Sequence, residues 1–210
     1  RDLRMRLSSL DPCLLDAKGL DALTSSALIC PHLHLSLQSA SPDVLQRMGR
    51  SHYSGSDIEA FILELNKYWS VFGLGADILL GFPGESEKDF LYTYDLVQRL
   101  PFSYGHVFVF SSRPGTKAYA MKPVVSKQEK KSRSQSMHEL LLSKKRDFLQ
   151  KLEYTSRLSV VVEQEYPAMG MNEYYTLSFF SGEEEVEHKA ALVEAIPVSA
   201  CEQGIYVEKA

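Results

Sequence analysis

Cysteine is scarce in this sequence, and the few cysteines are far apart. The 210 residues contain three, Cys13, Cys30 and Cys201, separated by 17 and 171 positions. Zinc sites and redox pairs need cysteines a few residues apart, and iron–sulfur clusters are held by several thiolates. We therefore predict isolated thiols, no metal ligands and no iron–sulfur cluster on this chain. A metal site framed by His32 and His34, close to Cys30 on one predicted strand face, stays an alternative, although histidines on a strand are more often hydrogen-bonded packing residues.

Long apolar runs are absent as well. No apolar stretch approaches the roughly 18 residues of a membrane-spanning helix, and neither end shows a charged-then-apolar secretory pattern. Hydrophobic residues still make up 44% of the chain, enough for the core of one large or two small domains. We therefore expect a monomeric, cytoplasmic protein without a membrane partner.

The net charge of -4 conceals an asymmetry along the chain. Residues 122–151 contain nine basic and three acidic side chains, a net charge of +6, whereas residues 154–210 contain three basic and ten acidic ones, a net charge of -7. A basic stretch of this kind can bind phosphate, but it is also typical of the solvated face of a helix.

Strand and helix signals alternate over residues 1–121, which predicts βα units on a parallel sheet. Four strands are predicted, at 3–7, 32–37, 76–80 and 104–110. Helical stretches with recognisable caps lie between them, at 16–28, 42–48, 56–72 and 87–100. Closed α/β barrels need about six to eight strands, so this sheet would be unfinished, and we expect further strands before Arg1.

The composition changes after residue 121, and we predict three segments. Residues 1–121 form the α/β part, residues 122–153 a basic connecting helix, and residues 154–210 a small β domain. In the last segment, strand signals at 158–163, 174–180, 191–196 and 204–207 are separated by proline and glycine residues. This pattern predicts a short all-β barrel.

Small polar residues follow the predicted strands, where a parallel α/β fold binds its ligand. They are Ser8 and Ser9, Gln38 and Ser39, Gly81–Glu85, and Ser111–Thr116. Because this set contains few strong acids, it suits a bound nucleoside better than proton transfer by paired carboxylates. The loop Gly81–Ser86 alone is a weak signal, since a tight turn followed by a helix cap would also explain it.

Five motifs in order carry a family resemblance. They are Arg6-Leu-Ser-Ser-Leu-Asp-Pro12, His34-Leu-Ser-Leu-Gln-Ser-Ala-Ser41, Met48-Gly-Arg50, Asp77-Ile-Leu-Leu-Gly-Phe-Pro-Gly-Glu-Ser86 and Phe110-Ser-Ser-Arg-Pro-Gly-Thr116. The series resembles the radical S-adenosylmethionine methylthiotransferases of the MiaB-like family. The segment 170–179 of the β tail is similar to a TRAM domain, which in that family follows the barrel and helps to bind tRNA.

The resemblance implies a partial six-stranded TIM-like barrel, of which this chain supplies the last four strands, followed by a TRAM-like barrel. Family members hold two 4Fe–4S clusters, whose ligands would lie before Arg1, and use S-adenosylmethionine to add a methylthio group to C2 of a modified tRNA adenosine beside the anticodon. The S-adenosylmethionine pocket implied for this chain is lined by Ser9, Gln38, Ser39, Leu79, Gly81, Phe110 and Ser111. No catalytic side chain is implied, and we expect these residues alone to be inactive.

Two departures from the family pattern bear on these expectations. Ala40 replaces a glycine usual after the Gln-Ser pair, and the acidic tail should repel RNA phosphate. Ser36 resembles the residue found at this position in the family branch that acts on threonylcarbamoyl-adenosine. Two alternatives stay open: a non-catalytic nucleotide- or RNA-binding module, and another radical S-adenosylmethionine enzyme or unrelated α/β barrel.

Overall fold

The computed structural model describes residues 3–181 and 189–210, which form an α/β part followed by a β barrel. The α/β part contains α1 (Ala17–Thr24), β1 (His32–Gln38), α2 (Pro42–Met48), α3 (Gly55–Leu65), β2 (Gly73–Leu80), α4 (Glu87–Arg99), β3 (His106–Val109) and the short α5 (Lys117–Ala120). The long helix α6 (Lys127–Leu152) leads to β4 (Leu158–Glu165), β5 (Ala168–Asn172), β6 (Leu177–Phe180), β7 (Leu192–Ala200) and β8 (Gly204–Lys209). A 3-10 turn at Pro12–Leu14 precedes α1.

The α/β part is built on three parallel strands in the order β1-β2-β3. Side chains alternate across a strand, and Leu33, Leu35 and Leu37 of β1 are fully buried in a core shared with the helices. The opposite face of the sheet carries more polar residues, among them His34 and Asp77. We call it the open face.

The predicted strand at 3–7 is wrong, so the sheet has three strands instead of four. Within the described residues, this segment forms two isolated parallel bridges, Met5 with Ile29 and Leu10 with Leu35. Five positions separate Met5 from Leu10, whereas six separate their partners, so the two bridges cannot belong to one continuous register. The segment therefore follows the outer edge of β1 without becoming a regular strand.

Serine caps mark the starts of several helices. Ser41 caps α2, while Ser86 and Ser126 take part in capping boxes at α4 and α6. Each cap satisfies backbone N–H groups that have no partner within the helix and is worth about 1 kcal/mol. The predictions at 42–48 and 87–100 agree with α2 and α4 to within one residue.

Helix α6 joins the two parts of the molecule. Met137 and Leu141 belong to the core of the α/β part, whereas Phe148, Leu149 and Leu152 belong to the core of the barrel. The remaining surface of this 26-residue helix is strongly polar. Within the described part of the chain, no helix is both long and apolar enough to cross a membrane.

Five strands close the C-terminal barrel in the order β4-β5-β6-β8-β7. A small all-β barrel is the predicted architecture, but four strands were expected, because Pro167 and Gly170 indicate a break where β5 lies. A Cβ atom on Gly170 would lie 2.0 Å from the carbonyl oxygen of Val161, so glycine lets β4 and β5 approach each other. The strand predicted at 174–180 begins only at Leu177, after a turn in which Asn172 Oδ1 accepts hydrogen bonds from the backbone.

One carboxyl group of the barrel has an unusual environment. Burial raises the pKa of Glu173 to about 7, and although the N–H of Ser159 donates a 2.9 Å hydrogen bond that opposes this shift, the nearby charge of Glu194 reinforces it. The folded barrel therefore favours the protonated form of Glu173.

Candidate functional site

The carboxyl ends of β1, β2 and β3 lie side by side because the strands are parallel neighbours. We call the residues there, Gln38, Leu79, Gly81 and Phe110, the cradle. The backbone is left-handed at Gln38, with a φ of 58°, and at Gly81, with a φ of 74°. Such a conformation costs a residue other than glycine about 1–3 kcal/mol and tends to occur at ligand-binding sites. Gln38 is therefore a strained position at the edge where a ligand is expected.

Phe110 ties the end of β3 to its neighbours. Its N–H donates to the carbonyl of Leu80 at 2.8 Å, and its own carbonyl accepts a 2.9 Å hydrogen bond from Lys130 Nζ. Its ring meets the ring of Phe82 edge-on, with 5.2 Å between centroids. Ser111, the next residue, is exposed. Phe110 thus contacts β2, the loop that follows β2, and α6.

Two predicted site residues occupy other surroundings. Ser39 is buried, its Oγ lies 3.1 Å from Thr93 Oγ1, and the N–H of Ser41 donates to it at 3.1 Å. Its hydroxyl therefore shapes the turn between β1 and α2. Ser9, with a φ of 55°, precedes the Leu10 bridge and lies beside the middle of β1. The structure brings Gln38, Leu79, Gly81, Phe110 and Ser111 to the same edge of the sheet.

A buried ion pair holds the loop after β2. Glu85 Oε2 accepts hydrogen bonds from Gly81 N at 2.8 Å and from Arg133 Nη1 at 2.7 Å. The two side chains are only 1% and 4% exposed. Burial raises the pKa of Glu85, and the hydrogen bonds from Gly81 and Arg133 oppose this effect. The pair therefore attaches the cradle loop to α6, a role that no signal around Arg133 in the sequence indicates.

An open groove of about 790 Å³ lies between the end of β3 and the first half of α6. We call it the basic groove; it is lined by Val109, Phe110, Ser111, Ser112, Lys127, Lys130, Lys131, Ser134, Gln135 and His138. Lys127 and Lys131 are exposed, whereas Lys130 turns toward Phe110. Positive charge and hydroxyl groups next to the cradle make this surface suitable for an anionic ligand.

The cysteines do not form a cluster site. Cys13 is exposed, Cys30 is buried and Cys201 is half-buried, and all three are free thiols. Among the described residues, the groups that could hold a metal contain at most one cysteine, Cys13 with Asp11 and His52. These residues therefore do not fit an iron–sulfur cluster, which needs several thiolates.

Comparison with known proteins identifies relatives of this chain. No protein-family model matches the chain. The chain is 36% identical over 160 residues to the threonylcarbamoyladenosine tRNA methylthiotransferase of Aquifex aeolicus. The matched region covers 76% of the chain and 39% of that relative. It is 42% identical over 132 residues to the Thermotoga maritima protein of the same name, covering 63% of the chain and 30% of the relative. The chain is homologous to the MiaB-like tRNA methylthiotransferases.

The resemblance predicted from the five motifs is thereby confirmed. A second group of these methylthiotransferases also matches: the tRNA-2-methylthio-N(6)-dimethylallyladenosine synthase of Syntrophomonas wolfei is 33% identical over 135 residues, or 64% of the chain and 30% of that protein. The chain thus spans 30–39% of the length of these methylthiotransferases.

Proposed function

We propose that this chain is part of an enzyme that adds a methylthio group to a threonylcarbamoyl-modified adenosine of tRNA. Homology carries the proposal. Three relatives named as threonylcarbamoyladenosine tRNA methylthiotransferases match at 36–42% identity. Relatives named as dimethylallyladenosine synthases match at 29–37% identity, which favours the threonylcarbamoyl substrate.

The cradle is the proposed site for S-adenosylmethionine. In this proposal β1–β3 belong to the six-stranded barrel of the parent enzyme, and the ligand contacts Gln38, Leu79, Gly81, Phe110 and Ser111. Ser39 shapes the adjoining turn, and Ser9 lies outside the cradle, beside the middle of β1. Half-buried Leu79 and Phe110 offer apolar surface for an adenine ring. The left-handed backbone at Gln38 and Gly81 supports this assignment, because it changes the direction in which the backbone N–H and C=O groups point at the strand ends.

S-adenosylmethionine would supply the methyl group and, with a 4Fe–4S cluster, the radical chemistry of the parent enzyme. We propose that both clusters are bound outside these residues, since the three cysteines do not converge. The contribution of this chain is then to bind and orient the nucleoside part of the cofactor. The Glu85–Arg133 pair and Lys130 keep the cradle in place while it does so.

The basic groove is the proposed contact for tRNA phosphates. It adjoins the cradle, and exposed Lys127 and Lys131 can pair with phosphate without breaking an ion pair of their own in the described structure. Each phosphate neutralised contributes a slope of about -0.7 to -0.9 to the dependence of log affinity on log salt concentration. The net charge of -7 over residues 154–210 makes the TRAM-like barrel a weaker candidate for this role.

We further propose three segments, a radical-domain part at 1–121, a connector at 122–153 and a TRAM-like domain at 154–210, in a monomeric cytoplasmic enzyme. The closed barrel, whose core is completed by residues of α6 in the same chain, supports the last segment and the monomer. The tRNA substrate supports a cytoplasmic location.

Mass spectrometry of tRNA nucleosides from a strain that lacks the full gene tests this proposal. We expect methylthio-threonylcarbamoyl-adenosine to disappear while its unmethylthiolated precursor accumulates, and the full gene should reverse both changes. Loss of methylthio-dimethylallyl-adenosine instead would contradict the proposed substrate. An unchanged nucleoside profile would contradict the proposed reaction and favour a non-catalytic binding module.

A further inference from the structure

Three side chains from three neighbouring strands converge on the open face of the sheet. Both His34 Nε2 and His106 Nδ1 lie 3.1 Å from Asp77 Oδ1. The three potential ligand atoms all lie within 4.8 Å of one another, and the two imidazole centroids are 5.2 Å apart. We call these residues the two-histidine cluster.

The strand register produces this convergence. Asp77 is paired with His106 across β2 and β3, and His34 is paired with Gly75, two residues before Asp77 on the same face. Gly75 leaves room for the Tyr104 ring, because a Cβ atom there would lie 2.1 Å from Tyr104 Cζ. The glycine is therefore needed to bring Tyr104 over the cluster.

Tyr104 orients one of the two imidazoles. Its hydroxyl lies 2.8 Å from His34 Nδ1 and 2.9 Å from His32 Nε2. A hydroxyl has one proton, so it can donate to only one of these rings and must accept from the other. When it accepts from His34 Nδ1–H, the Nε2 lone pair of His34 faces the Asp77 carboxylate, and a proton or a metal cation must lie between them. A hydrogen bond on the far ring nitrogen is also how proteins orient metal-binding histidines.

The distances between the ligand atoms of the cluster suit a bound metal ion as well as a shared proton. Nitrogen and oxygen ligands bind first-row divalent metals at about 2.0–2.2 Å, which places neighbouring ligand atoms roughly 3.0–3.4 Å apart. Both nitrogen-to-oxygen distances in the cluster, 3.1 Å, fall in that range. Two histidines and one carboxylate also form a known ligand set for such metals, with further coordination positions left open.

The charges nearby distinguish this cluster from a second one of similar composition. At Asp11, Cys13 and His52, the guanidinium of Arg50 already neutralises the Asp11 carboxylate at 2.8 Å. In the part of the chain that the structure describes, Asp77 forms ion pairs with the two histidines and with no lysine or arginine. The Asp77 carboxylate is therefore the one available to a cation.

We propose that His34, Asp77 and His106 form a binding site for a first-row divalent metal ion such as Zn²⁺ or Fe²⁺. The site opens on the side of His106, whose side chain is 56% exposed, compared with 9% for His34. Asp77 lies on the same face of β2 as Leu79 of the cradle, two residues or roughly 7 Å along the strand, so the metal would be bound next to the cradle. The proposal does not depend on the proposed function.

Titration of the metal-free 210-residue chain with Co²⁺, followed by visible absorption, tests the site. We expect one Co²⁺ per chain and displacement by Zn²⁺. Tyr104→Phe, which removes only the orienting hydroxyl, should weaken binding about 10-fold to 100-fold. Asp77→Asn and His106→Gln remove ligands and should weaken it further, whereas His52→Gln, in the other cluster, should leave the affinity unchanged.

Circular dichroism of each variant separates lost binding from lost folding. His106 is the most exposed ligand, so His106→Gln keeps the test valid if Asp77→Asn fails to fold. Absence of saturable Co²⁺ binding by the wild-type chain would overturn the proposal. Wild-type affinity in folded His106→Gln, or a loss of affinity in His52→Gln, would also overturn it.

Discussion

Replacing Arg133 by methionine should destabilise the α/β part severely. Arg133 is the buried cation that neutralises Glu85, with 2.7 Å between Nη1 and Oε2 and a carboxylate side chain only 1% exposed. Removing one partner of a buried pair leaves an uncompensated charge and costs about 3–5 kcal/mol. Lys131→Met removes an exposed charge from the same helix and should change stability by less than about 0.5 kcal/mol.

Urea unfolding followed by circular dichroism measures these free energies. The double variant Glu85→Gln/Arg133→Met provides the decisive comparison, because a neutral amide can still accept the hydrogen bond from Gly81 N. We expect the double variant to recover most of the stability lost in Arg133→Met. The reasoning is refuted if Arg133→Met is as stable as Lys131→Met, or if the double variant is no more stable than Arg133→Met.

Three further predictions concern the barrel and the groove. Burial raises the pKa of Glu173 from 4.5 to about 7, so the free energy of unfolding of the wild type should fall as the pH rises between those values. Glu173→Gln should remove this fall and, above pH 7, should be about 3 kcal/mol more stable than the wild type in urea unfolding. Gly170→Ala places a Cβ atom 2.0 Å from a backbone carbonyl oxygen, so it should lower the thermal midpoint strongly. In the control Gly115→Ala the new Cβ atom meets nothing within 4 Å, so this variant should lose only about 1 kcal/mol, because of its φ of 82°. Lys127→Met and Lys131→Met in the full-length protein should each weaken tRNA binding and reduce the salt slope by about 1.

Matched controls make these outcomes decisive. Glu163→Gln changes an exposed carboxyl on β4 and should retain the wild-type pH profile; the same profile in Glu173→Gln would contradict the buried carboxyl. Equal thermal midpoints for the two glycine variants would contradict the close approach of β4 and β5. Lys18→Met, on the exposed surface of α1, should bind tRNA normally, and an equal loss there would contradict the basic groove.

Local signals predict much of the α/β part. Ser41 followed by Pro42 marks the start of α2, and Ser86 with Asp89 marks the start of α4, because caps are determined by residues within one helical turn. The alternation of Leu33, Leu35 and the intervening polar residues likewise identifies β1. The predicted ends of the strands at 32–37 and 76–80 also agree to within one residue with the ends of β1 and β2.

Long-range pairing accounts for what the sequence does not predict. His106 contacts Asp77 from 29 residues away, and Arg133 contacts Glu85 from 48 residues away, so neither contact leaves a local pattern. Asp77 does leave a weak signal, because it is a charged residue within an apolar strand. Gly170 is typical of a turn, whereas tertiary packing makes it the position at which two strands approach.

Complementation of the gene-deletion strain with cradle variants tests the central claim most directly. Gly81→Ala forces a side chain onto a residue with a φ of 74° and places its Cβ atom 2.5 Å from Lys130 Cγ, whereas Gly115→Ala is the control, also at positive φ, in open space. With equal protein levels confirmed, we predict that the wild-type gene and Gly115→Ala restore methylthio-threonylcarbamoyl-adenosine in tRNA, and that Gly81→Ala restores much less. Full restoration by Gly81→Ala, or none by the wild-type gene, would contradict a methylthiotransferase that holds its cofactor in this cradle.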